Sequence, residues 1–280
     1  MQLEYKSIES IDNNSVYVKR VKEPYNGRNW HFHKEFELIY FLKGNGIRVV
    51  GDHISNFKAE ELVLVGEWLP HLWHNDINGS DRDDVDFVVI KFSKEFNGVN
   101  IFTLPEFSNI RKLLKISQRG VLFTSEAEIK IRELMLSLSK ARSSEKVIEF
   151  LRVLEYLSNE DHYELLCSAE YALPKEVSGE NRLQKVINYI FKNYAQNITL
   201  NDISAIAIMT PTAFCRFFKL QTNKTFSHFL NEVRVSKACQ LLVNRDKSIK
   251  QICYAVGFNS LTNFNRTFRT IKDKTPSDYR

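Results

Sequence analysis

Thr262, Asn263 and Arg266 fall close together in the stretch GFNSLTNFNRTFR, Gly257 to Arg269. At 100° per residue they point to one side of a helix, while Leu261, Phe264 and Phe268 share the other. A hydroxyl, an amide and a guanidinium on one outer face can hydrogen-bond a polar edge outside the protein. The pattern is also that of an ordinary amphipathic helix, with Ser260 as N-cap and Gly257 allowing a tight turn before it. A second set stands near the other end: His31, His33 and Glu37 in HFHKEFELIYFLKGNG. On a regular strand these odd-numbered residues face one way, as the ligands of one metal must. They suit equally a small-molecule pocket with a few directed polar groups, or plain surface histidines.

The elements that must position these residues divide the chain. Its 280 residues are enough for two or three domains, and 43% hydrophobic residues is ordinary for a globular protein with real cores. No apolar run approaches the ~20 residues that span a bilayer. The start, MQLEYKSIES, lacks the basic-then-apolar pattern of a signal peptide. Cys167, Cys215, Cys239 and Cys253 form no CxxC pair, so neither a disulfide framework nor a zinc finger is indicated. A reduced, cytoplasmic protein without a membrane partner is expected. The net charge of +5 hides a division: residues 181–280 hold 16 Lys+Arg against 5 Asp+Glu, and the first 180 residues are net acidic. A basic last third on an acidic body is the charge pattern of a nucleic-acid module carried by another domain. A solubilising or membrane-surface face would give the same sum, but the interleaved apolar residues favour a folded basic domain.

From about Val16 to Phe92 the chain reads as short strands, FELIYFL, GIRVV, ELVLVG and VDFVVIKF, separated by Gly, Asn and Asp clusters. An all-β barrel or sandwich is expected over residues 1–104. After Pro105 the period becomes helical at Ile129–Ser139 and Val147–Leu157, with Val147, Phe150, Leu151, Leu154 and Leu157 on one stripe. Residues 105–172 are therefore expected to be a helical dimerisation region, giving a homodimer. LPKEVSGEN, residues 173–181, reads as a linker. Residues 182–280 form the last domain.

An internal repeat organises that domain. Leu200 and Ile203 match Ile249 and Ile252. With one more residue in the second turn, Thr210, Phe214, Arg216, Phe218, Lys219, Thr225 and Phe229 match Ser260, Phe264, Arg266, Phe268, Arg269, Thr275 and Tyr279. Each copy reads as helix, tight turn, helix. A bland scaffold would not need Arg at the same outward position of both second helices. Between the copies, Phe226 to Val243 reads as one helix, a rod of about 27 Å.

ITLNDISAIAIMTPTAFCRFFK, FLNEVRVSKACQLL and SIKQICYAVGFNSLTNFNRTFRTIKDKTPSDYR resemble the DNA-binding domain of the AraC/XylS transcription regulators over roughly the last hundred residues. Asn223 and Asp273 stand where the family usually has glycine, and both tolerate a left-handed backbone. The resemblance implies a double helix-turn-helix on double-stranded DNA, with RNA polymerase as a further partner. Each second helix would lie in a major groove, the two about one DNA turn, roughly 34 Å, apart. Arg216 and Arg266 can pair with guanine O6 and N7, Asn263 with adenine, and Thr212 and Thr262 with a base or a thymine methyl. Cys215 lies nearer the edge of the base-reading face. Lys219, Lys224, Asn265 and Arg269 are expected on phosphates.

The first third resembles, by weaker motifs, the cupin-like jelly-roll sensor of many such regulators. His31, His33 and Glu37, with Gly44, match cupin spacing, and GEWLPHLWHND would add His71 or His74. Gly66 and Trp68 depart from the metal-cupin pattern. Two occupants stay open: a metal on His31, His33, Glu37 and His71, or a small polar effector, such as a sugar, against His31, His33, Glu37, Tyr40 and His71, with no cofactor. Two functions follow: an effector-controlled transcription regulator, or a metal-dependent cupin enzyme fused to a DNA-binding domain. The regulator is the better reading, because no second acid or base and no nucleophile motif accompanies the histidines.

Overall fold

The computed structural model describes residues 15–23, 30–75, 85–124, 128–173, 180–243 and 245–280. Eleven strands carry the first half of the described chain: β1 (Val16–Glu23), β2 (Phe36–Lys43), β3 (Gly46–Val50), β4 (His53–Phe57), β5 (Leu62–Val65), β6 (His71–His74), β7 (Val85–Phe92), β8 (Glu95–Phe96), β9 (Val99–Asn100), β10 (Val121–Phe123) and β11 (Tyr163–Leu165). They form a six-stranded sheet in the order β1-β7-β2-β5-β10-β11, a three-stranded sheet β4-β3-β6, and the hairpin β8-β9. The pairings of β2 with β7 and β5, and of β3 with β4 and β6, are antiparallel.

Alternation along the strands builds three apolar layers. Ile39 and Phe41 of β2, Val85, Phe87 and Val89 of β7, and Val63 and Val65 of β5 meet Val50, Phe57 and Trp73 of the small sheet. The opposite face of β2 and β7, with Phe36, Leu38, Tyr40, Val88, Ile90 and Phe92, is covered by three helices, α1 (Ser108–Ile116), α2 (Glu128–Lys140) and α3 (Ser143–Ser158). Those helices contribute Leu113, Met135, Leu138, Phe150, Val153 and Leu154 to the same core. One expectation narrows here and another changes. Phe150, Leu154 and Leu157 of the α3 stripe are buried against the sheet of their own chain, so that part of the stripe packs within the chain. Residues 105–172 are not a separate region, because β10 and β11 extend the large sheet.

The last third is helical: α4 (Glu180–Asn193), α5 (Leu200–Ile206), α6 (Pro211–Thr222), α7 (Phe226–Val243), α8 (Ile249–Ala255), α9 (Leu261–Lys272) and α10 (Pro276–Tyr279). Short helices start where side chains replace missing backbone partners. Thr199 with Asp202, Ser248 with Gln251 and Thr275 with Asp278 form capping boxes at α5, α8 and α10. Most of the expected linker, residues 174–179, lies outside the described residues.

The two halves share a core. The outer face of the small sheet, Ile47, Val49, Ile54 and Leu72, together with Trp30, packs with Val186, Ile187, Phe229 and Val233 of the helical domain. Polar contacts border it: Asn56 Nδ2 donates to the Ser236 carbonyl at 3.1 Å, and Asn223 Nδ2 to Asp52 Oδ2 at 3.0 Å. The His74 ring lies 4.7 Å from Phe191. The small sheet is thus one strand thick between the barrel interior and the helical domain.

Candidate nucleic-acid interface and barrel site

The two second helices of the repeat are built alike. Thr210 caps α6 and Ser260 caps α9, each accepting from the backbone N–H three residues on. Both end on a left-handed residue, Asn223 at φ 57° and Asp273 at φ 54°, as the shape of the cap requires. Phe214 and Phe218, like Phe264 and Phe268, are fully buried and hold each helix on the domain. Gly257 sits at φ 90°, where a Cβ would come 2.8 Å from the Ala195 carbonyl oxygen, so the turn before α9 needs glycine.

What remains outward repeats at an offset of fifty residues. Thr212, Ala213, Cys215, Arg216, Lys219 and Leu220 are exposed on α6; Thr262, Asn263, Asn265, Arg266, Arg269 and Thr270 are exposed on α9. All the expected base-reading residues therefore reach solvent on the two helices, as do Lys219, Asn265 and Arg269. Arg266 Nη2 donates to Asn263 Oδ1 at 3.1 Å, which holds its guanidinium along the helix face. Lys224 is the exception: its ammonium pairs with Glu232 Oε1 at 2.5 Å, partly buried, and is not a freely presented phosphate cation.

The second site lies inside the barrel. His31, His33, Glu37 and His71 bring one donor atom each within 4.8 Å of one another. They do not come from one regular strand, since β2 begins at Phe36. His31 is held by a two-way backbone bridge to His71, at 3.2 and 2.9 Å, and His33 precedes the strand. His71 faces the barrel, and His74 faces the helical domain, which decides between the two candidates for the fourth position. Tyr40 belongs to the opposite side of β2: its ring packs under the helices and its hydroxyl bonds Glu60, so it lines no common pocket with Glu37. The even–odd alternation of the strand is the reason.

The hydrogen bonds orient the rings. His33 Nδ1 donates to the Glu35 carbonyl at 3.0 Å and His71 Nδ1 to the Leu69 carbonyl at 2.7 Å. Such backbone bonds fix the tautomer and turn Nε2 toward the cluster. His33 Nε2 then lies 3.1 Å from Glu37 Oε2, and His71 Nε2, buried and without a hydrogen-bond partner, 3.7 Å from Glu37 Oε1. Each of these ring nitrogens faces a carboxylate oxygen, a place for a proton or a metal ion between them. The donor set, three imidazoles and a carboxylate, is one that divalent transition metals accept.

A residue outside the sequence motifs completes the cluster. Lys91 of β7, 2% exposed, places Nζ 2.8 Å from Glu37 Oε2. Burial opposes ionisation of Glu37, but the Lys91 ammonium and the bond from His33 hold its carboxyl well below the usual range. Burial, with His71 beside it, holds the His31 imidazole well below the usual histidine value; burial likewise lowers His71. Both are therefore neutral, the form that binds metal. The signal for Lys91 is present in VDFVVIKF, where a lysine continues the alternation of Val85, Phe87 and Val89 on the inward face.

Residues 203–280 match a protein family described as "Helix-turn-helix domain". The uncharacterized HTH-type transcriptional regulator YdeC of Bacillus subtilis is 30% identical over 105 residues, which are 38% of this chain and 36% of that protein. The HTH-type transcriptional activator RhaR of Mannheimia succiniciproducens is 22% identical over 256 residues, 89% of this chain and 86% of that one. The chain thus spans about a third of the first relative's length and most of the second's. Among solved structures, ToxT from Vibrio cholerae is 13% identical, with 95% of this chain and 96% of that one covered at a TM-score of 0.37. The last third is a DNA-binding domain of the helix-turn-helix class. The chain is thus similar to HTH-type transcription regulators, through its last third and through a relative that spans most of its length. Among the described residues, no single helix is long and apolar enough to cross a membrane.

Proposed function

We propose that the protein is a sequence-specific regulator in which α6 and α9 of one chain enter two adjacent major grooves of duplex DNA, under control of the barrel. The observation that carries this is the repeated outward face: two helices with the same caps, the same buried phenylalanines and an exposed arginine at the same position. An 18-residue α7 between the two units is a rod long enough to set them about one DNA turn apart. Arg216 and Arg266 read bases, Lys219 and Arg269 hold phosphates, and the site need not be palindromic. RNA polymerase and a second copy of the chain are the further partners this function calls for.

The test uses Cys215. It is exposed on α6, whereas Cys167, Cys239 and Cys253 are buried, so a thiol reagent should label it first. Duplexes selected from random DNA should protect Cys215 from alkylation, and an unselected duplex at equal concentration should protect it less. Selected DNA that leaves Cys215 as reactive as in free protein would count against α6 as a groove helix.

For the barrel, the proposed occupant is a small polar effector or a cation at His31, His33, Glu37 and His71. The two Nε2 atoms beside Glu37 suit a divalent transition metal, whereas the buried Lys91 ammonium on Glu37 Oε2 opposes a second cation and suits a polar organic molecule. Elemental analysis of purified protein separates the two: about one metal per chain, lost in His33→Ala, supports the metal, and a blank result leaves the organic effector. Either occupant regulates only if it binds one arrangement of the chain better than another.

A further inference from the structure

We infer that the two recognition helices read DNA by different chemistries, α6 by apolar contact with thymine methyls and α9 by hydrogen bonds to base edges. The inference rests on the proposed binding of duplex DNA by both helices.

The two helices offer a controlled comparison. They share N-cap type, buried phenylalanine pair and left-handed end, so residues fifty apart occupy equivalent outward positions. At four of those positions the residues differ: Lys219 opposite Arg269 keeps its positive charge, and the other three change in one direction. Ala213 stands opposite Asn263, Cys215 opposite Asn265, and Leu220 opposite Thr270. Each change removes a strong hydrogen-bonding group from α6 and leaves an apolar or weakly polar surface. Leu220 is 73% exposed, an unfavourable placement that the fold itself does not require. Ala213 and Leu220 are seven residues apart and continue one row along the helix.

The arginines differ as well. Arg266 is held by Asn263, three residues before it, at 3.1 Å. In α6 that place belongs to Ala213, which has no side-chain acceptor to offer Arg216. A guanidinium already held in place loses less freedom on pairing with guanine. In B-DNA the major groove offers a methyl group only at thymine, and alanine is among the side chains that contact it. The half-site under α6 should therefore be thymine-rich, with a relaxed preference at the Arg216 position. The half-site under α9 should be defined by guanine and adenine edges.

Deoxyuridine in place of thymidine removes the methyl group and keeps the base-pair edges. The full chain would be used to select binders from a random duplex library about 25 base pairs long, two turns with flanks. Repeating the selection with Arg216→Ala and Arg266→Ala marks which half belongs to which helix, by the position that relaxes. Thymines in each half are then replaced by deoxyuridine. Each replacement under α6 should weaken binding about fourfold, the effect of one buried methyl-sized group. Replacements under α9 should have little effect, apart from one at Thr262. The double substitution Ala213→Asn, Cys215→Asn should abolish the methyl sensitivity of the α6 half. Equal sensitivity in both halves, or an α6 half without thymine, overturns the inference while leaving DNA binding intact. If no sequence is enriched at all, the underlying reading falls with it.

Discussion

Replacing Asp52 with alanine should destabilise the whole chain, although Asp52 lies in the turn between β3 and β4. Asp52 is 8% exposed, and its carboxylate accepts three hydrogen bonds: from Ser168 N at 3.0 Å, from Ser168 Oγ at 2.6 Å and from Asn223 Nδ2 at 3.0 Å. Asn223 is exposed, so water can replace its lost partner. The Ser168 pair is part-buried and is stranded more severely. One charge-assisted bond lost under those conditions costs about 1.5–3 kcal/mol. For a chain of this size that is roughly a 4–10 °C fall in Tm. Asp52→Ala and the parent would be compared by calorimetry at about pH 7 and at low pH. Burial opposes the charge, but the bonds from Ser168 and Asn223 hold the Asp52 carboxyl below its ordinary 3.8. A depressed folded value means its contribution is complete above about pH 5 and lost as pH falls through that folded value. The deficit of Asp52→Ala should therefore shrink in acid. Asn223→Gly, which keeps the left-handed backbone and removes the amide, should couple to Asp52→Ala by about 1 kcal/mol. Equal melting of Asp52→Ala and parent at neutral pH, or zero coupling with Asn223→Gly, would refute the reasoning.

Arg266→Ala should weaken binding to a selected duplex by about 1–3 kcal/mol in fluorescence anisotropy and relax one base position; an unchanged consensus would remove Arg266 from the reading face. Lys219→Ala should weaken all sequences alike and lower the slope of log K against log salt by about one, measured across a salt series. Leu154→Asp should unfold the barrel, because the side chain lies in the core beneath α3, with a loss of at least ~3 kcal/mol read by urea denaturation. A well-folded monomer from that substitution would instead place Leu154 in a dimer face.

Much of the helical domain is legible from residue patterns. α7 runs from Phe226 to Val243 as its spacing indicates, and Ser260 caps α9. These succeed because local chemistry, a cap or an apolar period, decides them. β2 and β7 are equally plain, being runs of β-branched and aromatic residues. β4 and β6, HISNF and HLWH, do not read as strands: they are short and mix polar with apolar residues, because their two faces meet different partners. The same cause hides the docking of the helical domain, since Ile47, Val49 and Leu72 read simply as barrel core. The α3 stripe misleads in the opposite sense, as periodicity shows that a face is buried and not what buries it. The barrel cluster is half legible. His31, His33, Glu37 and His71 come together as expected, but Tyr40 turns away and Lys91 enters from a strand 54 residues beyond Glu37.

The single-strand thickness of β6 bears on how such a chain can be recombined. His71 and Leu72 are neighbours in sequence, yet one belongs to the barrel cluster and the other to the core of the helical domain. A hybrid that joins this helical domain to another sensor would have to bring Ile47, Val49, Ile54 and Leu72 with it, or leave their apolar counterparts on α4 and α7 facing water. A fragment of residues 181–280 carries the same exposed face. The cut that the linker invites is therefore not the cut that the packing permits, and the exchangeable unit of this protein includes the small sheet.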